Sequence, residues 1–207
     1  MASGAWATVP GGYSNAASGY NTFAAGSNAK ATFGGTFVWA DNNSFNFAST
    51  ATNEFAARAT GGVRFVTAIN ASTGAVTAGV GVAAGGGSWT SLSDRAVKKD
   101  VAPVDARAVL ARVAAMPLYT WRYLTETSGA LHLGPMAQDF RAAFALGDSD
   151  RTITTIDADG VALAAIQGLH ALLHERDAEL ARLRHKADEV DVLKRELSAI
   201  KAKLGLR

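Results

Sequence analysis

The chain of 207 residues has no cysteine, 4 prolines and only 8% aromatic residues. Without cysteine there are no disulfide frameworks, no thiol catalysis and no zinc ribbons, although the compartment stays open. Long apolar runs are missing as well. No uninterrupted stretch approaches the roughly 20 residues that cross a bilayer, and Met1 to Thr8 lacks the charged region and apolar core of a secretion signal. No membrane span is therefore expected, and the chain reads as a fragment of something longer or as exported without a conventional signal. A net charge of +2 with 18% charged residues gives no basic stripe for a phosphate backbone, so nucleic acid is not an expected partner. At 48% hydrophobic residues the chain can still bury a core.

Charge is scarcest at the start. Before Ser93 the charged residues are Lys30, Arg58, Arg64, Asp41 and Glu54, so all but five of the 20 basic and 18 acidic residues lie from Ser93 onward. That shift predicts a domain boundary, with one domain over residues 1–92 and another over 93–207.

The uncharged half carries a seven-residue period: Gly12, Gly19 and Gly26; Ala17, Ala24 and Ala31; and the polar set Ser14, Asn21 and Asn28. It is not a helical heptad. Repeated glycine would cost a helix about 1 kcal/mol each relative to alanine, and no large apolar residue holds a regular seam. Short strands and tight turns stacked as a solenoid suit the pattern, with a core thin enough that several chains are expected to share it. Residues Gly12 to Gly34 resemble the head repeats of trimeric bacterial surface adhesins. Beyond them Phe45 and Phe47, Val63 and Phe65, and Val76, Val80 and Val82 predict further strands up to Gly85-Gly86-Gly87. That triplet lacks the ending of a phosphate loop and reads as a linker.

In the charged half Asp105 is placed to cap a helix through Val109, Leu110 and Val113 that Pro117 stops. Tyr119, Trp121 and Tyr123 alternate along a strand, Ser128-Gly129 turns, and Leu131 and Leu133 return. Met136 to Leu146 is expected to be helical with Met136, Phe140 and Phe144 on one face. Asp157 or Asp159 then precedes a long helix expected from about Val161 to the end. From Val190 its apolar residues alternate three and four apart, a coiled-coil seam over about 161–207, while the step from Leu180 to Leu183 implies a register shift.

Four elements in order carry a second resemblance: Ser93-Asp94-Arg95-Ala96-Val97-Lys98-Lys99; Leu133-Gly134-Pro135-Met136-Ala137-Gln138-Asp139-Phe140; Asp157-Ala158-Asp159-Gly160-Val161-Ala162-Leu163; and the terminal coil. Together, over Ser93 to Arg207, they resemble the intramolecular chaperone domain of endosialidase-type phage tailspikes; Pro135 stands where many members have a larger apolar residue. The resemblance implies a C-terminal domain that trimerises, guides the preceding β-structured stalk into a trimer, and cuts itself off with a serine/lysine dyad. By that motif Ser93 is the nucleophile, Lys98 the base, and the bond between Leu92 and Ser93 the one cut. It further implies a homotrimer whose folding client is its own N-terminal stalk, located in a phage tail fibre or on a bacterial surface.

The chemistry sets its own requirements. A serine needs a neighbouring base, and a lysine base must be neutral. With a reference pKa of about 10.4, neutrality near pH 7 requires a depression of roughly 3 units, about 4 kcal/mol of desolvation or like-charge repulsion. Arg95 and Lys99 offer repulsion, and burial at a trimer interface offers the rest, which makes assembly a natural trigger. The plain alternative is that Ser93-Asp94 caps a turn and Lys98 is a solvated side chain.

Other candidates are weaker. His170 and His174 lie one helical turn apart without the glutamate of a zinc-protease helix, so no metal is expected. Asp157, Asp159 and Gly160 open like a calcium loop, but its twelfth position is Gly168, and helix capping accounts for them better. A glycosidase would rest on Asp41 and Glu54 alone. No cofactor is expected. The expected fold is multidomain: an N-terminal all-β repeat or stalk, β-roll-like and trimeric, then a C-terminal α+β domain ending in a coiled-coil helix. The rival function is a non-cleaving trimerisation and adhesion module. A glycan-binding or receptor-binding head would require Tyr13, Tyr20, Trp39 and the phenylalanines to be exposed, whereas core packing is expected for most of them.

Overall fold

The computed structural model describes residues 1–204; the last three residues of the expected coil, 205–207, lie outside it. The chain forms two compact units, Met1–Val101 and Ala102–Arg207.

The first unit opens with a parallel β-solenoid of about three turns. One sheet contains β1 (Gly12–Tyr13), β3 (Phe23–Ser27), β5 (Phe37–Ala40) and β7 (Phe55–Arg58), and a second contains β2 (Ala16–Ala17), β4 (Ala29–Ala31) and β6 (Phe47–Ala48). Gly12 pairs with Gly26 and Phe23 with Phe37, so one full turn spans 14 residues, two of the sequence heptads. Each heptad therefore supplies one strand and one corner. The polar heptad residues make the corners: Ser14, Asn21 and Asn28 all have φ between 53° and 61°, the left-handed region that asparagine tolerates better than bulky residues do.

Small residues follow from the geometry of the interior. Ala17, Ala24, Ala29, Ala31 and Val38 are fully buried, and the buried hydroxyls of Thr22 and Thr36 donate to the carbonyls of Gly19 and Phe33, each at 2.8 Å. Asn15 satisfies three backbone groups from inside the coil, accepting from the Ala29 amide and donating to the carbonyls of Gly11 and Gly26. At Gly26 (φ 93°) a Cβ would run into the Ala40 carbonyl, so the neighbouring rung excludes a side chain there. Outside the core, Phe23, Phe37 and Phe55 stack at 4.6 and 4.8 Å, the spacing of adjacent strands. Arg58 closes the last rung: it pairs with Asp41 at 2.7 Å and donates to the carbonyls of Ser27, Asp41, Asn43 and Phe45.

The chain then switches to an antiparallel sheet of β8 (Val63–Ile69), β9 (Val76–Val82) and β10 (Thr90–Ser91), in the order β10-β9-β8. Here the structure corrects the linker expectation. Gly85 has φ 69° and the Gly86 amide donates to the Ala83 carbonyl at 2.9 Å, so the glycine triplet forms the turn that returns β10 along β9.

In the second unit α1 (Ala106–Ala115) is capped by Asp105, whose carboxylate accepts from the amides of Arg107 and Ala108. β11 (Tyr119–Trp121) and β12 (His132–Gly134) pair antiparallel, with Trp121 opposite His132, and α2 (Ala137–Phe144) buries Phe140 and Phe144. The long helix α3 (Thr155–Lys203) begins earlier than the sequence predicts. Thr154 accepts from the Asp157 amide and donates to the Asp157 carboxylate, a reciprocal cap that starts the helix ahead of Val161 and carries it through Gly160. Val161 joins Phe140 and Phe144 in a core flanked by Val109, Val113 and Met116.

α3 has 49 residues, about 73 Å at 1.5 Å per residue, yet its buried residues are Val161, Ala165 and Gly168. Beyond Gly168, Leu173, Leu180, Leu193, Leu197 and Ile200 are all exposed. Although uninterrupted apolar runs point to no membrane span, this helix is long and apolar enough to cross a bilayer by length and composition; within the unit its Val161 face packs against protein instead.

Candidate functional site

Ser93 lies two residues past the end of β10, after Leu92, and the pairing of that strand fixes how the Leu92–Ser93 peptide is presented. Thr90 and Ser91 face Gly81 and Val80 of β9, and the Leu92 amide donates to the Gly79 carbonyl at 3.3 Å. The chain thus arrives extended, held by the last bonds of a ladder. Beside it, Phe65, Val80, Ser91 and Leu92 line an open groove of 540 Å³.

A single 3-10 turn over Arg95–Val97 comes next, capped by Asp94, whose carboxylate accepts from the Ala96 amide at 2.9 Å. The Lys98 amide bonds to the Arg95 carbonyl at 3.2 Å and the chain leaves the turn extended. This reversal folds the lysine back. Its Nζ donates to Ser93 Oγ at 2.7 Å, within the 2.6–3.2 Å that proton transfer between nucleophile and base requires. Both residues belong to the first unit, and both are exposed in the single chain. Leu92 is 41% exposed, so neither side of the peptide bond is sealed from water by its own chain.

The turn-cap reading and the paired reading thus hold together: Asp94 caps the turn, and the turn brings Lys98 to Ser93. The cap was legible in the sequence as Ser93-Asp94, whereas the 3-10 form of a three-residue turn has too little periodicity to be recognised by pattern.

The remaining candidates fall apart or serve structure. Asp41 is bound by Arg58 and Thr60, and Glu54 by the amides of Thr50 and Ala51, so each carboxylate ties its own loop. Asp157 caps α3. The His170 and His174 rings lie 4.4 Å apart, and among the described residues of one chain no three His, Cys, Asp or Glu side chains converge. Contrary to the expected core packing, Tyr13, Tyr20, Phe45 and Phe55 are exposed and Trp39 is 39% exposed, because the thin interior of the solenoid is filled by alanine, valine and threonine.

One arrangement escaped the sequence reading. In the β11–β12 hairpin His132 lies 2.9 Å from Glu126, Ser128 donates to the other Glu126 oxygen at 2.8 Å, and Trp121 stacks on His132 at 4.6 Å. The hydrogen bond from His132, and then that from Ser128, holds the Glu126 carboxyl below its ordinary range. The residue types are those of a hydrolase triad, but the serine bonds the carboxylate instead of the imidazole, so it has no base.

No curated protein and no solved structure matches the chain. Residues 93–146 match the family described as the chaperone of endosialidase, a family of peptidase name. The match begins at Ser93 and takes in the Ser93-to-Lys98 turn, α1, the β11–β12 hairpin and α2. Over residues 93–146 the chain is therefore similar to the chaperone of endosialidase-type proteins, which supports the resemblance read from its sequence.

Proposed function

We propose that this chain is a stub of a tail fibre or surface fibre joined to an intramolecular chaperone that trimerises, folds the β-structured stalk before it, and releases itself once by cutting between Leu92 and Ser93. The observation that carries the reading is the 2.7 Å contact between Lys98 Nζ and Ser93 Oγ on the peptide bond that leaves β10. The family match beginning at Ser93 supports it.

In this mechanism neutral Lys98 takes the Ser93 Oγ proton as Oγ attacks the Leu92 carbonyl carbon. The tetrahedral intermediate collapses with cleavage of the Leu92–Ser93 C–N bond, and the proton passes from Lys98 to the departing Ser93 nitrogen. An ester now joins the Leu92 acyl group to Ser93 Oγ, and Ser93 has a free amine. Water hydrolyses the ester, giving Met1–Leu92 with a new carboxylate and Ser93–Arg207 with its hydroxyl restored. In the single chain Lys98 Nζ is the donor and Ser93 Oγ the acceptor, the reverse of the proton transfer the reaction needs. Both groups are exposed there, and desolvation is what favours a neutral lysine. Neighbouring chains supply that desolvation, so cleavage waits for assembly. The seam of α3 is where those chains meet: Val190, Leu193, Leu197, Ile200 and Leu204 recur three and four apart and are exposed.

Intact mass of freshly expressed protein tests the cut, with Ser93→Ala as the uncut control. Two fragments, one beginning at Ser93, are expected; a verified trimer that stays whole on prolonged incubation sinks the peptidase reading and leaves the non-cleaving fibre module. Leu193 and Leu197 replaced together by lysine put charge into the seam and remove buried leucines worth several kcal/mol, so the double variant is expected to stay both unassembled and uncut. Efficient cleavage by a monomer, seen by light scattering beside a gel, breaks the coupling.

A further inference from the structure

The face of α3 that the second unit leaves uncovered is apolar with a histidine at its centre. Val161 is buried in the unit's core and Gly168 lies against Ala106 and Leu110 of α1. His170 is nine positions beyond Val161, about two and a half turns, and so points to the opposite side of the helix. Around it on that side lie Leu163, Ile166 and Leu173, each more than half exposed.

With His170 and Asp177 included, Leu163, Ile166, His170, Leu173, Asp177 and Leu180 recur three and four apart without a break. That is the seam spacing of a coiled coil, with two polar layers inserted. His174 stands one turn beyond His170 with its ring in edge contact, centroids 4.4 Å apart at 83°. A pair of imidazoles four positions apart on a helix is a two-nitrogen donor set for a borderline transition cation. One chain stops at two such donors, so a site of three or more nitrogens is incomplete until further copies arrive.

We propose that His170 and His174 of neighbouring copies form a shared binding site for a divalent transition cation of the Zn²⁺ or Ni²⁺ class inside the α3 seam. The proposal rests on the trimeric reading above. His170 imidazoles from three parallel helices converge on the axis, and His174, one turn on, adds nitrogens from the flank. The cation then does for the polar layer what leucine does elsewhere in the seam: it joins the copies and fixes which layers face each other. Neutral imidazole is the ligand form, and Asp177, two layers beyond His170 and three positions beyond His174 on the same face, favours a cation electrostatically.

The test uses the full chain as the Ser93→Ala variant, stripped with EDTA, followed by sedimentation and Ni²⁺ titration. Expected are a metal-free trimer and about one Ni²⁺ per three chains. With free Ni²⁺ a hundredfold above its Kd, the dissociation constant of the trimer should fall by about a hundredfold. His170→Leu fills the layer with an apolar side chain, so this variant should assemble at least as well and lose the Ni²⁺ response. His174→Ala should assemble normally and bind Ni²⁺ more weakly. A metal-free trimer that takes up no Ni²⁺, that binds one ion per chain without tightening, or whose His170→Leu form responds unchanged overturns the shared site while leaving the trimer intact. A monomer in EDTA that Ni²⁺ does not assemble overturns the trimeric reading and the site with it.

Discussion

Lys98 reaches Ser93 through a turn that Asp94 caps, and the resulting Nζ to Oγ distance is 2.7 Å. Two residues five positions apart are brought within one hydrogen bond by the four intervening residues, an extended Asp94 and a three-residue 3-10 turn. The contact at this junction is therefore a property of a very short segment.

Lys98→Arg separates a base from a positive charge. Arginine keeps the charge but cannot give up its proton at usable pH. The variant is expected to trimerise and stay uncut, while the wild-type rate rises with pH because only the neutral amine accepts the serine proton. Cleavage of a trimeric Lys98→Arg protein at the wild-type rate, read by gel and mass, removes Lys98 from the mechanism.

Asp94 is a positioning residue. Asp94→Ala removes a cap worth about 1 kcal/mol and lets the turn open, so cleavage should slow by roughly fivefold with assembly unchanged. Asp94→Asn offers the same acceptor to the Ala96 amide and should rescue most of the rate. Equal loss in both variants points to the carboxylate charge instead of the turn.

Gly168 and Gly160 sit in the same helix with opposite expectations. At Gly168 a Cβ would strike the Ala106 carbonyl oxygen and Leu110, so Gly168→Ala is expected to force α1 and α3 apart at a net cost of about 1–3 kcal/mol. Gly160 has nothing within 4 Å of such a Cβ, and Gly160→Ala should stabilise by roughly 1 kcal/mol through helix propensity. Thermal melts followed by circular dichroism decide, and a stabilised Gly168→Ala rules out the tight crossing.

The end of the solenoid should carry an acid-sensitive tie. Hydrogen bonds from the Thr60 hydroxyl and amide, then from Arg58, lower the Asp41 carboxyl from 3.8 to about 2. A carboxyl depressed in the folded state contributes stability that is complete above its unfolded pKa and lost as pH falls through the folded one. Melting temperatures should therefore fall between pH 4 and 2, and Asp41→Asn should be less stable at pH 7 with a flatter acid limb. Wild-type and variant curves that run parallel through this window assign the acid sensitivity elsewhere.

Much of this was legible in the sequence because it is local or periodic. The heptads before Gly34 specify a solenoid, since small residues suit a thin interior and asparagine suits a left-handed corner. Asp105 and Pro117 mark the ends of α1. Other features depended on distant residues. The triple glycine has the composition of a linker, and it is a turn because β10 finds a ladder partner in β9. Gly160 has the propensity of a break, but the reciprocal cap of Thr154 and Asp157 begins the helix ahead of it and Val161 packing sustains it. The pairing of heptads into 14-residue turns is decided by the parallel register that stacks Phe23 on Phe37. The sequence alone names the residue types and their spacing, because these follow from local conformational preference. Tertiary structure decides which of them meet, because burial and register are set by segments far apart in the chain.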